Sequence, residues 1–221
     1  SSDVCSSDLF SSCGKSTMAK NLARALGYVY VDTGAMYRAI GLYYLENAID
    51  IHDEAACVES LDDITVSLKY RDGLQQVLLN GSDVSGKIRT EGVGEAASVT
   101  SQYPAVREKL LDLQRDLAKE NDVIMDGRDI GTTILPDADL KVFLTASVEV
   151  RAARRMEELN QKGISSRLDN VIREIAERDY RDMHREVSPL KKAEDAVVVD
   201  TSDMTIEEVE EKITGLIRER M

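Results

Sequence analysis

The chain has 221 residues, 43% of them apolar, and a formal net charge of −13. That length allows one large or two small domains with a substantial core. An acidic surface repels nucleic acid, and no apolar run reaches the roughly 18 residues of a membrane span, so neither partner is expected. Cys5, Cys13 and Cys57 are odd in number and unclustered, which argues against a disulfide framework or a zinc site and fits a cytoplasmic protein.

Residues 1–10, Ser-Ser-Asp-Val-Cys-Ser-Ser-Asp-Leu-Phe, have no clear period and little strand material. They also lack a basic patch, an apolar run and an Ala-x-Ala site, so no secretion signal is expected. They read as a tail or a non-native scar. Next comes Gly14-Lys15-Ser16-Thr17, the second half of the phosphate-binding pattern G-x-x-x-x-G-K-[ST]. In a complete P-loop, backbone N–H groups cradle phosphates, the lysine neutralises them and the hydroxyl ligates Mg²⁺. Here the opening glycine is replaced by Leu9.

Residues 16–26 read as a helix, with Met18, Leu22 and Leu26 at helical spacing and Gly27 as its stop. Tyr28-Val29-Tyr30-Val31 is a short strand leading through Asp32-Thr33-Gly34 into a helix over 35–47. From about 62 to 89 the pattern alternates. Ile64, Val66 and Leu68 form one strand and residues 75–79 a second, with turns at Asp72-Gly73 and Asn80-Gly81. Helices over 90–101 and 105–120 follow, the second behind Pro104. Apolar strands at 123–126, 140–144 and 196–200 predict a parallel sheet covered on both faces. Two helices, over 147–162 and 168–183, precede the last strand. A final helix over 205–220 opens with a capping box, Thr205 and Glu208. The order predicts an α/β fold with an inserted antiparallel unit.

In open parallel sheets ligands bind beyond the carboxyl ends of the strands. Asp32 and Asp126 sit at such ends, where an Asp either caps the next helix or holds Mg²⁺ through its water shell. Asp126-Gly127-Arg128-Asp129 is either a charged turn or a ligand loop: Arg128 can fork onto a phosphate and Asp129 can accept from an amino group. Arg38 lies in a first helical turn, against the helix-dipole preference, and is an anion ligand or a surface partner of an acid. Arg151, Arg154 and Arg155 share one helix face, and Arg178, Arg181, Asp182 and Arg185 another. Such faces are solvated charge runs or a lid closing over phosphates. Met18, Met36, Met125, Met156 and Met183 read as packing residues, and His52 and His184 receive no role.

Together these motifs resemble the bacterial cytidylate kinases, members of the nucleoside monophosphate kinases. The resemblance runs from about Gly14 to the C-terminus. It rests on Gly14-to-Thr17, Asp32-to-Arg38, Val84-to-Thr90, Asp126-to-Thr132, and Glu177-Arg178-Asp179 with Arg181, Asp182 and Arg185. It implies a P-loop parallel sheet flanked by helices, with a kinase core at 13–61 and 105–221, a lid at about 147–183, an inserted monophosphate-binding lobe at 62–104 and an atypical segment at 1–12. By resemblance, Gly14, Lys15, Ser16 and Thr17 would hold ATP, with Arg154 and Arg155 in the lid. Thr33, Arg38 and Arg128 would hold the CMP phosphate. Ser98, Arg107 and Asp129 would read cytosine, while Arg178 and Asp182 would contact ribose. Lys15, Asp126, Arg128 and Arg185 would be catalytic, and Mg²⁺ would bind at Ser16 with Asp126 through water.

The implied activity is phosphoryl transfer from ATP to CMP or dCMP by a monomer. Leu9 and Ser12 depart from the family's glycines, and its apolar first strand, central in the sheet, is degenerate here. A catalytically impaired nucleotide-binding remnant therefore stands as the alternative, beside another small-acceptor P-loop kinase.

Overall fold

The computed structural model describes residues 4–9, 15–71 and 73–220. The elements, in chain order, are β1 (Val4–Leu9), α1 (Lys15–Leu26), β2 (Val29–Asp32), α2 (Thr33–Glu46), α3 (Glu54–Glu59), β3 (Val66–Arg71), β4 (Leu74–Leu79) and β5 (Ser82–Asp83). They continue with α4 (Glu91–Thr100), α5 (Pro104–Glu120), β6 (Val123–Gly127), β7 (Leu140–Thr145), α6 (Val148–Gln161), α7 (Leu168–His184), β8 (Val197–Asp200) and α8 (Ile206–Arg218). A 3₁₀ turn over Ser60–Asp63 precedes β3, and a π turn over Ile130–Ile134 follows β6.

Five strands form a parallel sheet in the order β2-β6-β1-β7-β8, and β3-β4-β5 form a separate antiparallel sheet. The expectation of a tail is corrected for residues 4–9. Val4–Leu9 is the central strand, paired in parallel with β6 and β7. Its register slips against β6 between Cys5 and Asp8 and against β7 between Ser6 and Asp8. A strand bonded on both sides is held by its backbone ladder, and side-chain propensity is the weaker influence. That is why poor strand composition misleads at this position.

The sheet separates two layers. In β6, Val123 and Met125 point into one cluster and Ile124 into the other, the alternation a strand imposes. The first cluster joins Val31, Met36, Ile40, Val106 and Met125 to Leu61, Ile64, Val77, Leu79, Val84 and Ile88 of the inserted region. The second packs α1 and α8 on the sheet through Met18, Leu22, Val142, Leu144, Val209 and Ile213. Helices α6 and α7 have a small core of their own in Ala152, Leu159, Val171 and Ile175. A buried ion pair from Arg151 Nη1 to Asp179 Oδ2, 2.6 Å, joins the same two helices.

Several local expectations shift. Ile64 is not in β3. It is fully buried after the 3₁₀ turn, and the strand begins at Val66. Val198, on edge strand β8, is 49% exposed where a doubly covered strand was expected, because Val197 and Val199 point into the α1–α8 layer while Val198 points to the other face and joins neither of the two clusters on the sheet. Met183 is also exposed. The Asn80-Gly81 turn forms as read, with both residues at positive φ (48° and 82°), as a two-residue type I′ hairpin requires. Asp72 lies outside the described residues. The capping box at Thr205 and Glu208 is present. Among the described residues no helix is long and apolar enough to cross a membrane.

Helix α2 lies close against α4 because Gly41 has no side chain. A Cβ there would meet the Ala97 nitrogen at 3.0 Å and the Ala96 Cβ at 3.1 Å. Gly41→Val therefore forces the helices apart and is expected to cost about 1–3 kcal/mol, measurable by urea denaturation.

Candidate active site

The carboxyl ends of β2 and β6 bring Asp32 and Asp126 side by side, paired in register. Their environments differ. Asp32 caps α2, its Oδ1 accepting from the Ala35 N–H at 3.0 Å, while its Oδ2 pairs with Arg89 Nη2 at 2.9 Å. Asp126 turns toward the start of α1. Its Oδ2 accepts from the Tyr30 hydroxyl at 2.6 Å and from Ser16 Oγ at 3.4 Å. Burial, together with the charge of Asp126, raises the Tyr30 phenol well above its ordinary range, so Tyr30 remains a donor. Gly14 and the Lys15 side chain lie outside the described residues. Thr17 is exposed on α1.

The Ser16 and Asp126 oxygens fit a Mg²⁺ ion. This cation takes hard oxygen ligands and keeps several waters, so one hydroxyl and one outer carboxylate beside substrate phosphates suffice. Among the described residues there is no cluster of three or more His, Cys, Asp or Glu that could enclose a metal entirely.

The opposite side of the strand ends is cationic. Arg38, on α2, donates to the Ile88 carbonyl at 3.3 Å, and among the described residues it has no carboxylate partner. Burial and the neighbouring Arg89 charge lower its pKa. Arg128 is fixed by Asp182, Nε to Oδ2 at 2.9 Å. Arg178 Nε is buried without a hydrogen-bond partner among the described residues. Burial, reinforced by Arg128, pushes its guanidinium down to about 10. These three guanidinium groups act on one another's charge with Asp182 as the carboxylate that orients Arg128, which is the electrostatic form of an anion site.

Beyond them lies a buried polar group. Arg107 pairs with Asp129 Oδ2, and Arg185 Nη2 approaches Asp129 Oδ1 at 3.5 Å. Arg107 also donates to the Ser101 carbonyl at 3.1 Å and lies over the Tyr37 ring, 5.3 Å from its centroid. Ser98 Oγ is buried with no partner among the described residues. A donor and an acceptor fixed side by side can read a base edge. Thr33 Oγ1 donates to the Asp126 carbonyl at 2.7 Å. Gly127 leaves room for this packing, since a Cβ there would come within 2.6 Å of Thr33 Oγ1.

The lid arginines divide. Arg151 serves the ion pair between α6 and α7. Arg154 donates to the Thr201 carbonyl at 2.7 Å and its hydroxyl at 3.1 Å, tying α6 to the loop after β8. Arg155 bonds Glu158 at 3.1 Å, and its charge reaches Arg38. Arg181 meets Glu95 of α4 at 3.0 Å, which closes α7 against the inserted region. Sequence reasoning missed Tyr30, Tyr37, Gln75 and Glu95, and it quoted Arg89 without assigning it a role. Tyr30 carries a signal, because it lies two residues before Asp32 on the same face of β2.

Fold and site together define a nucleotide kinase of the P-loop α/β type. A family model described as cytidylate kinase matches residues 7–219. A cytidylate kinase of Lactobacillus johnsonii is 51% identical over 95% of this chain and 91% of its own length. One of Caldicellulosiruptor saccharolyticus is 51% identical over 92% of this chain and 90% of its own. A crystal structure of an uncharacterized protein from Eubacterium ventriosum ATCC 27560 shares the fold, with a TM-score of 0.56 at 13% identity and full coverage of both chains. The chain belongs to the cytidylate kinase family.

The Asp182 carboxyl is buried, which opposes ionisation, yet Arg128, Arg178 and Arg185 hold it below the ordinary aspartate range. Its stabilising contribution is complete above about pH 4, where an unfolded Asp is ionised, and is lost as pH falls through the lower folded value. Asp182→Asn should therefore flatten the fall in stability between about pH 4 and pH 2 seen in urea titrations of the parent protein.

Proposed function

We infer that this protein transfers the γ-phosphoryl group of ATP to CMP or dCMP, giving ADP and CDP or dCDP. The observation that carries this reading is the convergence of Arg38, Arg178 and the Asp182-oriented Arg128 next to the buried Arg107–Asp129 pair and Ser98. The cations suit a monophosphate. Asp129 suits the cytosine amino group and Arg107 its neighbouring acceptors. Asp182, which pairs with Arg128 and whose carboxylate also feels Arg178 and Arg185, would with Arg178 contact the ribose.

An oxygen of the CMP phosphate attacks the γ-phosphorus of ATP, and the bond to the β–γ bridging oxygen breaks as ADP leaves. Two anions must approach for this to occur, so arginine charge is the main requirement on the protein. Arg38 and Arg128 would offset the acceptor charge, and Arg185, held deeper beside Asp129, would add positive charge behind them. Lys15, Ser16 and Thr17 hold the donor phosphates, with Arg154 and Arg155 in the lid. Ser16 and Asp126 would hold Mg²⁺, which when bound neutralises donor-phosphate oxygens. The contact between Arg181 and Glu95 keeps the lid helix near the acceptor region, where closure excludes water.

A coupled ADP-release assay with CMP, dCMP, UMP, AMP and shikimate tests the reading. CMP and dCMP should exceed the other acceptors, whereas equal or absent rates overturn it. Calorimetry identifies an impaired remnant directly, as CMP binding without ATP binding or turnover.

Arg178 gives a second test. Its buried Nε, with no hydrogen-bond partner among the described residues, costs the empty protein stability. Arg178→Met is expected to raise the melting temperature without ligand by about 2–4 °C, the equivalent of about 1 kcal/mol. The same change should abolish most of the further rise that CMP produces by binding the folded state.

A further inference from the structure

The inserted sheet reaches the site through Gln75 of β4. In β4, Gln75, Val77 and Leu79 share one face by strand alternation. Val77 and Leu79 point into the core that joins the insert to the main sheet. Gln75 is polar at a position where that row would continue apolar, and it is half-buried. Its amide is used twice on the backbone of one residue, Asp32. The Asp32 N–H donates to Gln75 Oε1 at 2.9 Å, and Gln75 Nε2 donates to the Asp32 carbonyl at 3.3 Å. A two-point hold of this kind fixes orientation as well as distance.

Asp32 is the residue whose side chain both caps α2 and pairs with Arg89. Arg89 itself belongs to the insert's exit segment. Its neighbour Ile88 is fully buried, and the Ile88 carbonyl accepts from Arg38 Nη1 at 3.3 Å. Arg89 is therefore delivered beside Arg38 with its guanidinium half-exposed, and Asp32 is the only carboxylate in an ion pair with it among the described residues.

We propose that Gln75 is a positioning residue for the acceptor phosphate, fixing the Asp32 backbone so that the Asp32 carboxylate holds Arg89 beside Arg38. Arg89 then adds a contact to the phosphate from the inserted region, and the insert takes part in acceptor binding through this chain of bonds. The proposal rests on the acceptor reading above.

Calorimetric titration of CMP into the full chain tests it, using Gln75→Met, which keeps length and removes both hydrogen-bonding groups, together with Arg89→Ala and the double variant. Gln75→Met should weaken CMP about three- to tenfold, and Arg89→Ala about tenfold. In the Arg89→Ala background the Gln75 change should add nothing further, whereas combined with Ser98→Ala its effect should appear in full. A loss that persists undiminished without Arg89 marks a general loosening and overturns the proposal. So does unchanged CMP affinity in Gln75→Met when the parent binds. Failure of the parent to bind CMP defeats the acceptor reading itself and the proposal with it. If Gln75→Met does not fold, Gln75→Glu, which keeps the acceptor oxygen and loses the amide donor, is read by the same cycle.

Discussion

Like-charge crowding is the constraint on which the site depends. Arg38, Arg89, Arg128 and Arg178 act on one another's charge at one end of the sheet, and Arg107 and Arg185 do so a little deeper. Asp32, Asp129 and Asp182 each hold a guanidinium in place. Arg38 and Arg178 receive no such partner among the described residues. Single carboxylates orient cations without cancelling their sum, so the local field stays positive in a chain whose net charge is −13. An anionic acceptor is thereby attracted to one place, while the surface at large discourages polyanions.

Much of this was legible in the sequence. The strand-ending Asp32 and Asp126, the Arg128–Asp129 turn and the arginine face of α7 all follow from period and position, and the structure brings them to one edge of the sheet. Faces were legible and partners were not. Arg151, Arg154 and Arg155 look equivalent at i, i+3 and i+4, yet one serves an ion pair inside the lid, one ties α6 to the loop after β8, and one pairs with Glu158 on its own helix. A helix face spans a wide arc, and the tertiary neighbour along that arc decides each role. Gln75 was hidden for a different reason. In a hairpin read by alternation, a glutamine passes as an ordinary polar position, and its target lies 43 residues away.

The central strand shows the opposite limit. Composition argued against Val4–Leu9 as a strand, and the structure places it between β6 and β7. Residues 4–9 have few large apolar side chains to bury against the flanking layers, and the register slips on both sides near Ser6. Neighbouring strands present unpaired N–H and C=O groups that a chain of almost any composition can satisfy. Strand existence here is decided by the gap between two partners, whereas strand stability is decided by side chains. The sequence speaks to the second of these and was read as if it spoke to the first.

These features bear on how an insertion becomes part of a site. The small sheet shares a core with α2, α4 and β6, so it does not ride on a flexible tether. A shared apolar core fixes distance but is tolerant of rotation, since dispersion contacts are individually weak and non-directional. The direction of a guanidinium needs polar contacts with defined geometry. Gln75 on the Asp32 backbone and Asp32 on Arg89 provide two such contacts in series. The Gly41 contact sets how near α4 can come, and the Arg181–Glu95 pair joins α4 to the lid. Acceptor strand, insert and lid are thus linked by a short chain of directional bonds laid over a non-directional core. A shift of the insert therefore changes the aim of Arg89 before it costs much packing, which makes orientation of the cations, more than their number, the quantity this architecture controls.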